Sequence, residues 1–396
     1  MPLLPVRAAE LRIARQSGAN RYVTMSDEAR CLMKSNCLPA VLLIAKMDDA
    51  QSALICWALR TLGAKVIQWD WSSYPARGRS HIELRGATRT EFSFDGFDHT
   101  TEFTSVVYRR PALDCRPSPR AHPADAELIR ESSLWLMHAV IAALRPTQWV
   151  NYPPSSIFAR DKIVQLLSAA SVGFHIPHTL FTNDPDRVYA LRAACEAGII
   201  HKAPVPASWV DSTGTAHHAE TAFLTDDDYG VLRENISLCP GIYQEFISKK
   251  SDVRVVVMGS SVCATRILSQ ETAPTTDWRI ASVLSPMRME EIDLPPTVVD
   301  RCLQLCRKLD CTYAAIDLAE TQSGEFVFFE LNEAGNLIWD DYSKPMKLVC
   351  RYCAFLCRES ITAFNNEQLY MNEFLRSEEY RRLITGAHST EYRDDV

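Results

Sequence analysis

The chain has 396 residues, 47% hydrophobic and 23% charged, the balance of a globular protein rather than a disordered or fibrous one. That length exceeds one ordinary hydrophobic core, so two or three domains are expected. A net charge of −7 and a pI near 5.8 argue against nucleic acid as the main partner, and no apolar run reaches the ~18 residues of a membrane span.

Residues 1–37 are polar and weakly patterned, lack the apolar core of a signal peptide, and read as an extension or docking arm. Pro39–Ala45 reads as a buried strand. Asp48-Asp49 then offers an N-cap for a helix running to about Leu62, Gly63 ends it, and Lys65–Asp70 is a second strand. Strand, helix, strand at this spacing predicts a βαβ unit with a parallel sheet. Alternating runs at 81–86, 91–95 and 102–108 add strands, and a helix is predicted over 124–144, with Leu128, Leu134, Trp135, Met137, Val140, Ile141 and Leu144 as its apolar stripe. Trp149–Pro154 marks the next boundary.

Beyond it one helix is expected over 155–172, with strands at 179–182 and 199–202. A hairpin around Gly214 is expected within 203–225, then a loop ending in Asp226-Asp227-Asp228. Gly241–Ile247 and Val253–Met258 read as strands of a mostly antiparallel sheet, and Cys302–Leu309 as helix. The expected division is an extension 1–37, an α/β domain 38–150, a central part 151–247, a C-terminal part 248–365 and a tail 366–396. Thirteen scattered cysteines suit reduced thiols in a cytoplasm. Cys350-x-x-Cys353-x-x-x-Cys357 has helical spacing without a second ligand pair nearby, so buried thiols are expected rather than a zinc site.

The chemistry concentrates in 314–332. Two apolar runs flank Ser323-Gly324, which predicts a β-hairpin. Glu330 and Asn332 lie two apart on one strand and leave the same face, and Asp317 can come opposite them from the partner strand. Two carboxylates and a carboxamide are hard oxygen ligands that suit Mg²⁺ shared with substrate phosphates; the plain alternative is the polar face of an exposed hairpin.

In order along the chain, Lys162, Lys202, Gln244-Glu245-Phe246-Ile247, Asp252-x-Arg254, Asp277-Trp278-Arg279, Asp317 and Glu330-x-Asn332 resemble the ATP-grasp superfamily over about residues 39–360. Tyr108-Arg-Arg-Pro111, Trp149-Val-Asn-Tyr-Pro153, Ala159-x-x-Lys162-x-x-Gln165-Leu166, Ile176–Asn183 and Asp277-Trp-Arg279 resemble, more narrowly, the ligases that make microviridin-type graspetides. The resemblance implies a three-part ATP-grasp fold of mixed α/β class, with ATP and Mg²⁺ between two antiparallel sheets. It implies an enzyme joining acidic side chains of a ribosomal precursor peptide, leader plus core, to hydroxyls or amines. A cytoplasmic homodimer is expected.

Phosphoryl transfer to a carboxylate is mostly positioning and charge neutralisation. Lys162 and Lys202 supply point charges for phosphate oxygens, a lysine ending Ile199-Ile-His-Lys202 being unusual for a buried strand. Gln244 to Ile247 would lie beside adenine, its backbone reading the base edge while Phe246 or Ile247 packs on the ring. The resemblance implies a ribose-binding carboxylate, Glu245 or Asp252. Arg279 is the candidate for neutralising the transferred phosphoryl group. Arg254 and Arg266, on adjacent strands, could meet phosphates or the incoming carboxylate, or could be salt bridges on a sheet face.

Two departures matter. Glu333 stands where related enzymes often carry proline, and 203–215 holds a single glycine, so no glycine-rich phosphate lid is evident. Tyr108-Arg109-Arg110 reads as the structural end of the first domain, and the acidic run 226–228 as a docking spot for a basic leader. Two rival readings stand. One is a ligase adding an amino acid to a peptide or protein terminus. The other is an inactive ATP-grasp that only binds peptide.

Overall fold

A computed structural model describes residues 38–385 apart from 77, 86–88, 95, 112–114, 205–207, 211–213, 219–220, 273–286, 338–344 and 359–368. The 1–37 arm and the Asp277-Trp278-Arg279 loop therefore lie outside the described residues.

Strands β1 (Ala40–Ile44) and β2 (Lys65–Trp69) pair in parallel around helix α1 (Ala50–Thr61). Asp49 caps that helix by accepting from the Ser52 amide, and Gly63 ends it at φ +84°. A small antiparallel sheet follows, β3 (His81–Arg85), β4 (Arg89–Phe94) and β5 (Phe97–Asp98). Then β6 (Ser105–Tyr108) and, after α2 (Ala126–Ala143), β7 (Gln148–Val150) complete a parallel sheet in the order β2-β1-β6-β7. The apolar run Val41-Leu42-Leu43-Ile44 is fully buried because helices cover both sides: Val41 and Leu43 enter one core, Leu42 and Ile44 the other.

The single helix expected over 155–172 is two, α3 (Pro153–Ala159) and α4 (Lys162–Ser171). Asp161 makes the break: its carboxylate accepts from the Ile163 and Val164 amides, which starts a new helix and sets Lys162 at its first position.

The second sheet takes β8 (Thr179–Thr182) and, beyond α5 (Pro185–Ala194), β9 (Ile199–Lys202). The hairpin β10 (Ser208–Val210) and β11 (Ala216–His218) follows, with Gly214 at φ +86°. Strand β12 (Ala222–Leu224) leads to α6 (Asp226–Leu238) and β13 (Gly241–Glu245), and the order is β12-β9-β13-β8. The acidic run at 226–228 is thus the first turn of a helix, not a loop. Thr225 and Asp228 form a reciprocal capping box, so the sequence there is helix-start chemistry.

The third sheet, ordered β16-β15-β14-β17-β18, is formed by β14 (Lys249–Met258), β15 (Ser261–Ile267), β16 (Met289–Ile292), β17 (Tyr313–Thr321) and β18 (Phe326–Asn332). Helix α7 (Pro296–Lys308) precedes β17, and α8 (Lys347–Cys357) follows β18. Val253, Val255, Val257, Ile316 and Leu318 pack against α4 and α7. On the opposite face, Val256, Met258, Tyr313 and Ala315 join the core shared with α1 and α8. Cys350, Cys353 and Cys357 are buried in α8, and burial pushes the Cys353 thiol well up, which suits packing rather than reactivity.

The parallel sheet grips the chain just beyond β18. The buried Asn151 donates to the carbonyls of Tyr313 and Glu333 and accepts from the amides of Thr312 and Tyr313. Arg109, also buried, pairs with Asp49 at 2.9 Å and donates to the Ala334 carbonyl at 2.6 Å and Asn336 Oδ1 at 2.7 Å. Gln51 accepts from the Leu337 amide at 2.6 Å. Both family-like phrases, Tyr108–Pro111 and Trp149–Pro153, thus carry a residue that holds this crossing.

Burial raises the Asp49 carboxyl, but the charge and hydrogen bonds of Arg109 outweigh it and hold the group below its ordinary 3.8. Its contribution to stability is therefore present above pH 3.8 and lost as pH falls through the lowered value. Arg109→Ala should lower unfolding free energy by about 2–4 kcal/mol, because it removes a buried guanidinium and strands a half-buried carboxylate. Losing Arg109 removes the largest influence that lowers Asp49, so the stability gap between the two proteins should narrow as pH falls below 3.8. Urea unfolding of both proteins across pH checks the size and the sign.

Candidate active site

Register decides which side chains meet. In the second sheet Lys202 pairs with Ile242, and Gln244 with both Ile200 and Thr179, so Lys202 and Gln244 share one face. Ile199, Tyr243 and Leu224 occupy the other face, which α5 and α6 cover. The Lys202 face turns to the third sheet, with Ile200, Ile242 and Gln244 on it buried. Lys202 Nζ bonds Gln244 Oε1 at 2.9 Å, and Gln244 Nε2 bonds Thr179 Oγ1 at 2.8 Å.

Opposite it stands the uncovered end of the third sheet. Asp317 pairs directly with Glu330 across β17–β18, and Asn332 stands beside Ala315, as the hairpin reading requires. Glu330 Oε2 accepts from Lys162 at 2.8 Å, and its Oε1 accepts from Asn332 Nδ2 at 3.1 Å. Asp317 Oδ1 accepts from Arg254 at 2.7 Å, both side chains being buried. Gln165 fixes the spacing: its amide donates to the carbonyls of Ala159 and Leu331 and accepts from the Leu331 amide. That one side chain ties the Lys162 helix to the strand between Glu330 and Asn332.

Strict alternation fails at one point. Leu318 pairs with Phe328 and Asp317 with Glu330, so Phe329 is an extra residue in a β-bulge. Its ring faces the cleft, 5.3 Å from Lys202 Nζ and 5.8 Å from Lys249 Nζ. Lys249 is buried and pairs with Asp252 Oδ1 at 2.9 Å, while Ser269 donates to Asp252 Oδ2 at 2.6 Å. Periodicity alone finds neither Phe329 nor Lys249, because each sits beside a strand irregularity.

Other expected residues are placed differently. Arg266 pairs with Val253, which puts it on the opposite face from Arg254, where it forks onto Glu320 at 2.8 and 3.1 Å. Burial raises the Glu320 carboxyl, but Arg266 and Ser251 outweigh it and hold the group low, the signature of a structural pair. Glu245 pairs with Ile199 and so shares the helix-covered face, with Oε2 accepting from the His178 amide at 3.2 Å. Its side chain is turned from the cleft by the same alternation that brings Gln244 in. The linker amides of Glu245 and Phe246 are committed to the carbonyls of His178 and Gly198, and Phe246 packs edge-on to Phe223. Ile247 is half-buried just after β13. Arg279 lies outside the described residues.

The acidic groups suit a hard divalent cation. Among the described residues no cluster of three or more His, Cys, Asp or Glu side chains is poised to cage a metal. Asp317, Glu330 and Asn332 instead bring two carboxylates and a carboxamide together, hard oxygen donors of the kind Mg²⁺ shares with phosphates. Gly335 keeps this corner tight, since a Cβ there would lie 2.3 Å from the Ala315 Cβ and 2.9 Å from Arg254 Nη2.

No protein-family model matches the chain, and no curated protein matches its sequence. Solved structures do match its shape. The macrocyclase MdnC from Microcystis aeruginosa, bound with precursor peptide MdnA, is 20% identical with a TM-score of 0.66, covering 81% of this chain and 99% of that one. A RiPP-associated ATP-grasp ligase from Chryseobacterium gregarium, in complex with ADP and a leader and core peptide, is 20% identical with a TM-score of 0.71, covering 82% and 98%. The ATP-grasp ligase PsnB, complexed with minimal precursor, Mg and ADP, is 22% identical with a TM-score of 0.60, covering 82% and 96%. The chain has the ATP-grasp fold of these ligases, and its cleft lies between the two antiparallel sheets.

Proposed function

We propose that the chain is an ATP-dependent peptide ligase. It activates acidic side chains of a ribosomal precursor peptide and joins them to hydroxyls or amines of the same peptide. One observation carries this reading: Lys162, Asp317, Glu330, Asn332 and Arg254 converge on one wall of a cleft whose other wall presents Lys202 and Gln244. The match to ligases bound with precursor peptides and ADP supports it. A cytoplasmic homodimer, and domains divided at 150/151 and 247/248, belong to the proposal.

ATP with Mg²⁺ supplies the γ-phosphoryl group, which turns the carboxylate into an acyl phosphate as ADP leaves. A substrate hydroxyl or amine then attacks the acyl carbon, loses its proton and displaces phosphate. Asp317, Glu330 and Asn332 would hold the metal. Lys162, which donates to Glu330 at 2.8 Å, would bring a positive charge to phosphate oxygens beside that carboxylate. Lys202 and Lys249 flank the Phe329 ring, whose face fits the adenine slot beside the linker 244–247. Arg254 orients Asp317 and borders the place where the phosphoryl group moves. Arg279 remains the candidate for neutralising it. With both Asp252 oxygens engaged by Lys249 and Ser269, its part is to position Lys249, and ribose is left to groups other than Glu245.

Asp317→Ala, Glu330→Ala and Asn332→Ala should each abolish ADP formation, falling at least about 100-fold, while keeping a cooperative melt, because Mg²⁺ arrives mainly with nucleotide. Near wild-type turnover in any two would remove this metal site. Nucleotide recognition divides by face: Phe329→Ala should weaken ADP binding roughly tenfold, and Glu245→Ala by less than about twofold, by titration calorimetry. Mass spectrometry of a precursor peptide after incubation with ATP separates the rivals. Loss of one water per linkage means ring closure, a gained residue mass means terminal extension, and unchanged peptide without ADP means a binding scaffold.

A further inference from the structure

Arg110 stands where an open α/β sheet ordinarily takes a ligand. The chain leaves β1 for β2 on one side and returns to β6 on the other, so the carboxyl ends of β1 and β6 meet at a switch-point crevice, part of which the chain at 334–337 fills. Arg109 and Arg110 follow β6 directly into it. The first is buried in the clamp described above. The second is exposed, and among the described residues no hydrogen bond or ion pair holds its side chain. Its backbone sits at φ +41°, a region that non-glycine residues rarely adopt and that clusters at ligand sites.

Its electrostatic neighbours tie this crevice to the metal hairpin. Surrounding protein on one side lowers the Arg110 guanidinium most, while its outer side meets solvent, and the charges acting on it are those of Arg109, Asp49, Glu333 and Arg160. Glu333 follows the ligand Asn332 directly and is itself held by Arg160 at 2.6 Å and Ser156 at 3.1 Å. Arg160 lies two residues before Lys162, which reaches Glu330. Arg160 is thus committed to Glu333, and Arg110 is the neighbouring guanidinium left available. Lys162 and Lys202, the lysines given to the triphosphate above, are engaged by Glu330 and Gln244. A planar fork of donors on this side matches a carboxylate.

We propose that Arg110 receives the side-chain carboxylate to be activated, holding it in the β1–β6 crevice beside the Asn332 end of the metal hairpin. This rests on the ligase reading above, and the test keeps the two apart. The MgADP-loaded protein, labelled with ¹⁵N-arginine, is titrated with Nα-acetylglutamate α-methylamide and, separately, with the corresponding glutamine compound. The Arg110 Nε–Hε signal is assigned by its disappearance in Arg110→Lys. It should move saturably with the glutamate probe and stay still with the glutamine probe; equal response to both, or to neither, overturns the assignment. Trapping of acyl phosphate as hydroxamate, with ATP, hydroxylamine and the glutamate probe, reads the chemistry separately. Arg110→Gln should raise the half-saturating probe concentration in that assay roughly tenfold or more, and Arg110→Lys by less. Hydroxamate formation without an Arg110 response sinks this assignment alone. An Arg110 response without hydroxamate sinks the activation reading and leaves a carboxylate site.

Discussion

The grip on residues 333–337 is the constraint on which the cleft depends. Asn332 ends β18, and within five residues the chain is held by Asn151, Arg109 and Gln51, all from the parallel sheet or its helix. The Tyr313 hydroxyl adds a bond to the Gly335 carbonyl at 2.8 Å. A strand end is ordinarily where a sheet frays. Here satisfied, buried hydrogen bonds stiffen it, and an unmade one would be costly. The first sheet therefore positions the Glu330 and Asn332 end of the third without contributing a side chain to it.

The third sheet shows how one face serves two ends. Along β14, Met258 and Val256 are dry and packed against α1 and α8, whereas Arg254 and Asp252 on the same face reach the cleft. Buried charges are tolerated there because each is paired: Arg254 with Asp317, Lys249 with Asp252. The packed half supplies the rigidity and the polar half uses it.

Much of this was legible in the sequence, for physical reasons. Short apolar runs with turn residues between them predict β1, β2 and the β17–β18 hairpin, and a period of two puts Glu330 and Asn332 together. The same period rules out Arg266 and Glu245 once the register is known, but register is a property of pairing and no single strand reveals it. The split at Asp161 was readable as an N-cap, yet a continuous apolar stripe across it favours one helix. The acidic 226–228 run has the composition of a solvated loop and the positions of a helix start, and position wins.

The bulge in β18 has a consequence of an evolutionary kind. Phe328 faces Leu318 and Glu330 faces Asp317 whether or not a residue stands between them. The codon for Phe329 could be lost, or exchanged for one encoding a larger or smaller side chain, without shifting either pairing by a step. The surface beside Lys202 and Lys249 can thus drift while Asp317 and Glu330 keep their pairing, so this hairpin can change what it packs against without changing what it brings together.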